Sequence, residues 1–231
     1  MKIREAGFWP LCWMALLKAT LSVLTRRRWA GLANIPRTGG AIVVAGHVSE
    51  FDPLVVARFV YAADRWPRFL AKSSLFERSG LLGAFMRTTG HIPVARGTAT
   101  ASQALDRAVE GLRKGDLVII YPEGGIPASG EPGPRKGKTG AARLFLATGA
   151  PVVPVVSWGP QWVLNPRVGG LRTDVTVLAG PPLDLAKWAG AEPGDGNLRE
   201  ITETIMSALY DLLEEAKEPP ADRSPPRCVK C

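Results

Sequence analysis

The stretch AGHVSEFDPL, residues 45–54, places one of only two histidines in this 231-residue chain five positions before an aspartate. An imidazole beside a carboxylate is what a general base requires, because the carboxylate fixes the ring tautomer and raises its basicity. Spacing alone does not bring the two together. On a continuous helix His47 and Asp52 would point about 140° apart, so the chain must turn between them. Asp52-Pro53 supplies a break, since Asp is a good N-cap and Pro suits the first helical position. A helix opening at Ser49, with Asp52 in its first turn, can be written equally well. The bland alternative is an aspartate that only caps a helix and a histidine that only closes a strand.

Other residues could join this pair. YPEGG, residues 121–125, ends an apolar run with a carboxylate, Glu123, and two glycines. Glycines there permit close backbone approach and offer N–H groups to an oxyanion. GHIPVAR, residues 90–96, sets Arg96 just beyond another short apolar run, where a guanidinium could grip a phosphate. Arg135, Lys136 and Lys138 precede a helical stretch whose N-terminus also favours anions.

The elements that must position these residues follow from the pattern. Short β-branched runs fall at 41–45, 68–71, 91–94, 117–121, 152–156 and 175–178. Between several of them lie stretches of helical period: Leu105, Ala108, Val109 and Leu112 share one face, as do Ile201, Ile205, Leu209 and Leu212 after Asn197, a good N-cap. Unalternating apolar strands interleaved with helices predict a single α/β domain, a mostly parallel sheet flanked by helices. Ligands of such sheets bind at the carboxyl ends of the strands, where His47 and Glu123 fall.

Residues 8–24, FWPLCWMALLKATLSVL, are strongly apolar and run straight into TRRRW. Pro10 and Lys18 interrupt a run already at the short limit for a hydrocarbon core of about 30 Å. A membrane-contacting helix is expected, with Trp9, Trp13 and Trp29 at headgroup level and Arg26, Arg27 and Arg28 facing anionic phosphates. The alternative is a buried first helix. The chain thus divides into an N-terminal membrane-associating segment (1–30), a catalytic-type domain (31–216) and a Pro- and charge-rich tail (217–231) expected to be disordered. The location implied is the cytoplasmic face of the cell membrane, peripheral or partly inserted.

A formal net charge of +8 suits nucleic acid, anionic membrane or phosphorylated substrates alike. No nucleic-acid-binding module is recognisable, so no nucleic-acid partner is expected. Cys12, Cys228 and Cys231 form no disulfide framework, and Cys228-Val-Lys-Cys231 lacks the second pair a four-ligand metal site would need. GKT at 137–139 lacks the glycine of a nucleotide-binding loop, since position 132 is Pro. Ser49 lacks the flanking glycines of a hydrolase nucleophile.

Four blocks in order and spacing carry a resemblance to a known family. They are His47-Val-Ser49-Glu-Phe-Asp52, Gly90 to Arg96, Pro122-Glu123-Gly124 and Val153-Pro154-Val155. Over roughly residues 31–180 the chain resembles the 1-acylglycerol-3-phosphate acyltransferases of glycerophospholipid synthesis. The resemblance implies His47 and Asp52 as catalytic residues. It implies Arg96, Lys136 and Lys138 on the acceptor phosphate, Glu123 and Gly124 shaping the acceptor pocket, and Ser49 among the substrate-binding positions. The donor would be acyl-CoA or acyl carrier protein as a substrate, with no cofactor and no metal. The acceptor would be a lysophosphatidate-type membrane lipid, with glycerol-3-phosphate and a lyso-glycolipid as alternatives. A non-catalytic lipid-binding protein is the reading outside enzymes. Two departures stand out: Gly125-Ile126-Pro127 replaces the family's common Thr or Ser and Arg, and Ala95 precedes the arginine of the second block.

Overall fold

The computed structural model describes residues 3, 7–95, 100–126, 136–163 and 172–218. In chain order the helices are α1 (Phe8–Leu24), α2 (Asp52–Ala62), α3 (Leu81–Thr88), α4 (Thr100–Arg113), α5 (Gly140–Thr148) and α6 (Asp195–Lys217). The strands are β1 (Thr25–Ala30), β2 (Ala41–Ala45), β3 (Pro67–Lys72), β4 (Ile92–Val94), β5 (Leu117–Ile120), β6 (Val152–Trp158) and β7 (Thr173–Ala179). They form one seven-stranded sheet in the order β1-β7-β6-β2-β5-β3-β4. Strands β6, β2, β5, β3 and β4 run parallel. β7 pairs antiparallel with β6, and β1 follows β7 in parallel.

The central strands are apolar throughout because helices cover both faces. Ile42 and Val44 of β2 point into one core with α4, α5 and α6, while Ala41, Val43 and Ala45 point into the other with α1 and α2. Pro154 sits inside β6 without breaking it. Its carbonyl accepts from Gly180 N at 3.0 Å, so its donor-less nitrogen faces β7 where that ladder ends.

The expected mostly parallel sheet is present, with two corrections. Residues 25–30, assigned above to the N-terminal segment, are an edge strand of the sheet, so the domain begins before residue 31. The basic run is partly committed inside the fold: Arg28 pairs with Asp174 at 3.0 Å, and Trp29 packs edge-on against Phe59 at 5.5 Å. Trp13 likewise meets Phe85 of α3. The second correction is at α6, which opens at Asp195 behind Gly194 rather than after Asn197.

α1 has two faces. Met14 and Leu21 are buried in the core, whereas Phe8, Trp9, Leu16 and Val23 are more than half exposed. Among the described residues no helix is long and apolar enough to cross a membrane. The tail with Cys228 and Cys231 lies outside the described residues.

Candidate active site

β2 ends at Ala45, and Gly46 N still donates to Val155 O of β6 at 3.1 Å, so His47 emerges at the carboxyl end of the central strands. Residues 48–51 then turn before α2 begins at Asp52, with Phe51 in the cap position and Pro53 in the first turn. Asp52 is therefore neither the N-cap nor a residue one turn into a helix begun at Ser49. It is the first helical residue, and its side chain reaches back over the turn.

That reach brings the two candidate residues together. Asp52 is fully buried. Its Oδ2 lies 3.0 Å from His47 Nδ1 and accepts from Val48 N at 2.5 Å and Ser49 N at 2.7 Å. Its Oδ1 accepts from Ser49 Oγ and Ser157 Oγ, each at 3.1 Å. An ionised carboxylate is acceptor-only and accommodates such a set of donors, and the α2 N-terminus favours its charge. Facing an acceptor, Nδ1 carries the ring proton, which leaves Nε2 as the imidazole's acceptor.

The Tyr121-Pro-Glu-Gly turn after β5 closes on the same histidine. Glu123 Oε1 accepts from the His47 backbone N at 3.1 Å, and the Tyr121 ring lies 4.4 Å from the imidazole, centroid to centroid. Gly124 N donates to Tyr121 O at 3.0 Å and Lys138 N to Pro122 O at 2.7 Å, so the segment leading into α5 is laid across the turn. Gly124 has φ +74°, and a Cβ there would sit 2.6 Å from Lys138 Cε and 2.8 Å from its Nζ. The backbone conformation favours glycine there, and the flexible end of Lys138 lies in the space a side chain would take.

The residues expected from sequence fare differently. His47, Asp52, Glu123, Gly124 and Lys138 are brought together, and Lys136 is exposed in the segment approaching the turn. Glu123 contacts the histidine backbone, a supporting role beyond the acceptor pocket foreseen for it. Ser49 donates to Asp52 and accepts from Phe51 N at 3.2 Å, so its hydroxyl works inside the turn. Arg96 and Arg135 lie outside the described residues. Sequence reasoning missed Ser157, at the end of β6, and the Tyr121 side chain. The only signal for either was adjacency to a recognised block.

The chain that carries this histidine and buried aspartate at the carboxyl ends of its parallel strands belongs to the Acyltransferase family. The family model matches residues 26–158, from β1 to the end of β6, which makes the protein an acyltransferase. An uncharacterized protein of Mycobacterium bovis is 29% identical, over 91% of this chain and 69% of its own length. One of Mycobacterium leprae is 30% identical, over 80% of this chain and 59% of its own. The chloroplastic 1-acyl-sn-glycerol-3-phosphate acyltransferase of Brassica napus is 28% identical, over 66% of this chain and 44% of its own. Among solved structures, the 1-acyl-sn-glycerophosphate acyltransferase PlsC of Thermotoga maritima superposes with a TM-score of 0.68. It shares 23% identity, and the match covers 95% of this chain and 85% of that one.

Proposed function

We propose that the protein moves a fatty acyl group from an acyl thioester, acyl-CoA or acyl carrier protein, to a hydroxyl of a 1-acylglycerol-3-phosphate. The observation that carries this reading is the 3.0 Å contact between His47 Nδ1 and buried Asp52, which leaves Nε2 to act. His47 Nε2 takes the proton of the acceptor hydroxyl as its oxygen attacks the thioester carbonyl. Collapse of the tetrahedral species breaks the C–S bond, and the imidazolium returns the proton to the departing thiolate. Asp52 stays ionised throughout and steadies the imidazolium. A thioester is activated enough for a positioned base to suffice without a covalent acyl-enzyme.

Lys138, whose side chain lies on Gly124 next to Glu123, is assigned to the acceptor phosphate. Lys136 and Arg96 are assigned to the same phosphate, following the family resemblance. The exposed apolar face of α1 suits a bilayer surface, where a lysophospholipid resides. Purified protein offered labelled acyl-CoA and acyl carrier protein, each with lysophosphatidate, glycerol-3-phosphate and a lyso-glycolipid, tests the assignment. Mass spectrometry should find phosphatidate as the main product. Transfer to another acceptor alone would replace the proposed substrate, and no transfer with either donor would remove the reading.

A further inference from the structure

We infer that Tyr121 is a positioning residue for the His47 imidazole, acting through the face of its ring. The inference rests on the reading of His47 as the base. The hydrogen bond to Asp52 fixes one ring nitrogen but leaves the imidazole free to pivot about the Nδ1–Oδ2 line. Nε2 would then sweep an arc, and a general base that wanders by an ångström loses much of its effect. A flat surface against the ring removes that freedom. The Tyr121 ring supplies one, 4.4 Å from the imidazole centroid and tilted 31° to it.

The surface is itself backed. Phe69 of β3 stacks on Tyr121 at 6.4 Å with only 9° between planes, and His91 meets Phe69 edge-on at 5.3 Å. The imidazole therefore lies at the end of a series of ring contacts that runs through Tyr121, just after β5, to Phe69 of β3.

The hydroxyl identifies the ring as the working part. Tyr121 Oη is buried and has no hydrogen-bond partner among the described residues. Burial and the nearby Asp52 carboxylate hold the phenol's pKa well above its ordinary value, so it stays neutral. An unpartnered buried hydroxyl destabilises a fold. Removing it while keeping the ring should therefore stabilise the protein and spare catalysis.

Tyr121→Phe and Tyr121→Leu in the full chain separate the contributions. Tyr121→Phe is expected to keep kcat within about twofold and to raise Tm by a few degrees. Tyr121→Leu should lower kcat by about 10- to 100-fold while leaving both KM values within about threefold. If the leucine variant does not fold, Tyr121→Met fills the gap with a flexible chain and carries the same expectation. Near-normal kcat without the ring would overturn the inference. So would a fall in Tyr121→Phe as deep as in Tyr121→Leu, because the hydroxyl would then be the acting group. His47→Ala is measured alongside: turnover surviving in that variant would remove the base reading first, and this inference with it.

Discussion

Ser157 Oγ donates to Asp52 Oδ1 at 3.1 Å, joining residues 105 positions apart in the chain. The bond ties the end of β6 to the turn after β2, and it is fully buried at Ser157. Asp52 keeps its two backbone donors without it, so Ser157→Ala should loosen the carboxylate rather than release it. We expect kcat to fall about 3- to 10-fold with KM unchanged, and stability to fall by about 1–2 kcal/mol. Steady-state kinetics and urea denaturation measure both. Unchanged kcat would show that the backbone donors alone orient Asp52.

His47→Ala should lose about 10²–10⁴-fold in turnover with the fold intact, as for a general base. Asp52→Asn is a subtler test. Its amide group can turn toward the Oδ1 side, where the Ser49 and Ser157 hydroxyls can rotate to accept, leaving a carbonyl oxygen for the His47, Val48 and Ser49 donors. The variant should therefore fold, yet lose most activity for want of charge beside the imidazolium. Circular dichroism with turnover measurements checks both halves. An active Asp52→Asn would confine the residue to structure.

Gly124→Ala strains a backbone at φ +74° and pushes the flexible end of Lys138 aside. Lys138→Ala removes the cation but not the turn. If Lys138 binds the acceptor phosphate, Lys138→Ala should raise the acceptor KM about 10-fold and spare that of the thioester. Gly124→Ala should raise the same constant and lower Tm as well. Equal changes toward donor and acceptor would mean a distorted site instead.

His91 supplies a pH dependence of stability. Burial and the nearby Arg68 guanidinium lower its pKa to about 4 from an ordinary 6.5. Its Nδ1 also faces the Phe69 backbone N at 3.3 Å, a contact that a proton on Nδ1 would break. The unfolded chain therefore binds the proton first. This contribution is fully present above pH 6.5, declines as pH falls from 6.5 to about 4, and is then lost. It amounts to at most about 3 kcal/mol. Between pH 7 and 4.5, His91→Gln should lose less stability than the natural chain; parallel slopes would refute the assignment.

Variants in α1 test the proposed membrane contact separately from folding. Deleting residues 1–28 takes buried Met14 and Leu21 and the larger part of β1, so that truncation should not fold. Trp9→Ser with Leu16→Ser alters only exposed side chains, at 67% and 57% exposure. The double variant should fold normally and float less well with anionic vesicles. Undiminished flotation would place membrane contact elsewhere.

The apolar runs at 41–45, 117–121 and 152–156 marked the central strands because both of their faces are covered. β1 escaped because three consecutive arginines carry no apolar signal; an edge strand needs only one paired side and finds it in β7. Residue types and order made the His47–Asp52 pair legible. Its geometry was not, because the first residue of α2 folds its side chain backward over the turn. Ser157 reaches the site from β6 and Tyr121 from the turn after β5, and such contacts leave no trace in local spacing.

The reversed pair of strands at one edge has a kinetic consequence. Since β7 and β1 oppose the other strands, Thr25 is level with Thr173, at the end of the sheet where His47 emerges. α1 therefore delivers its carboxyl end to the catalytic rim. An acceptor dissolved in a bilayer gripped by that helix would be encountered by two-dimensional diffusion, without first partitioning into water. Turnover on mixed vesicles should then follow the acceptor's mole fraction in the surface. Diluting it with inert lipid at constant bulk concentration should slow the enzyme, and adding buffer at constant composition, with the protein vesicle-bound, should not.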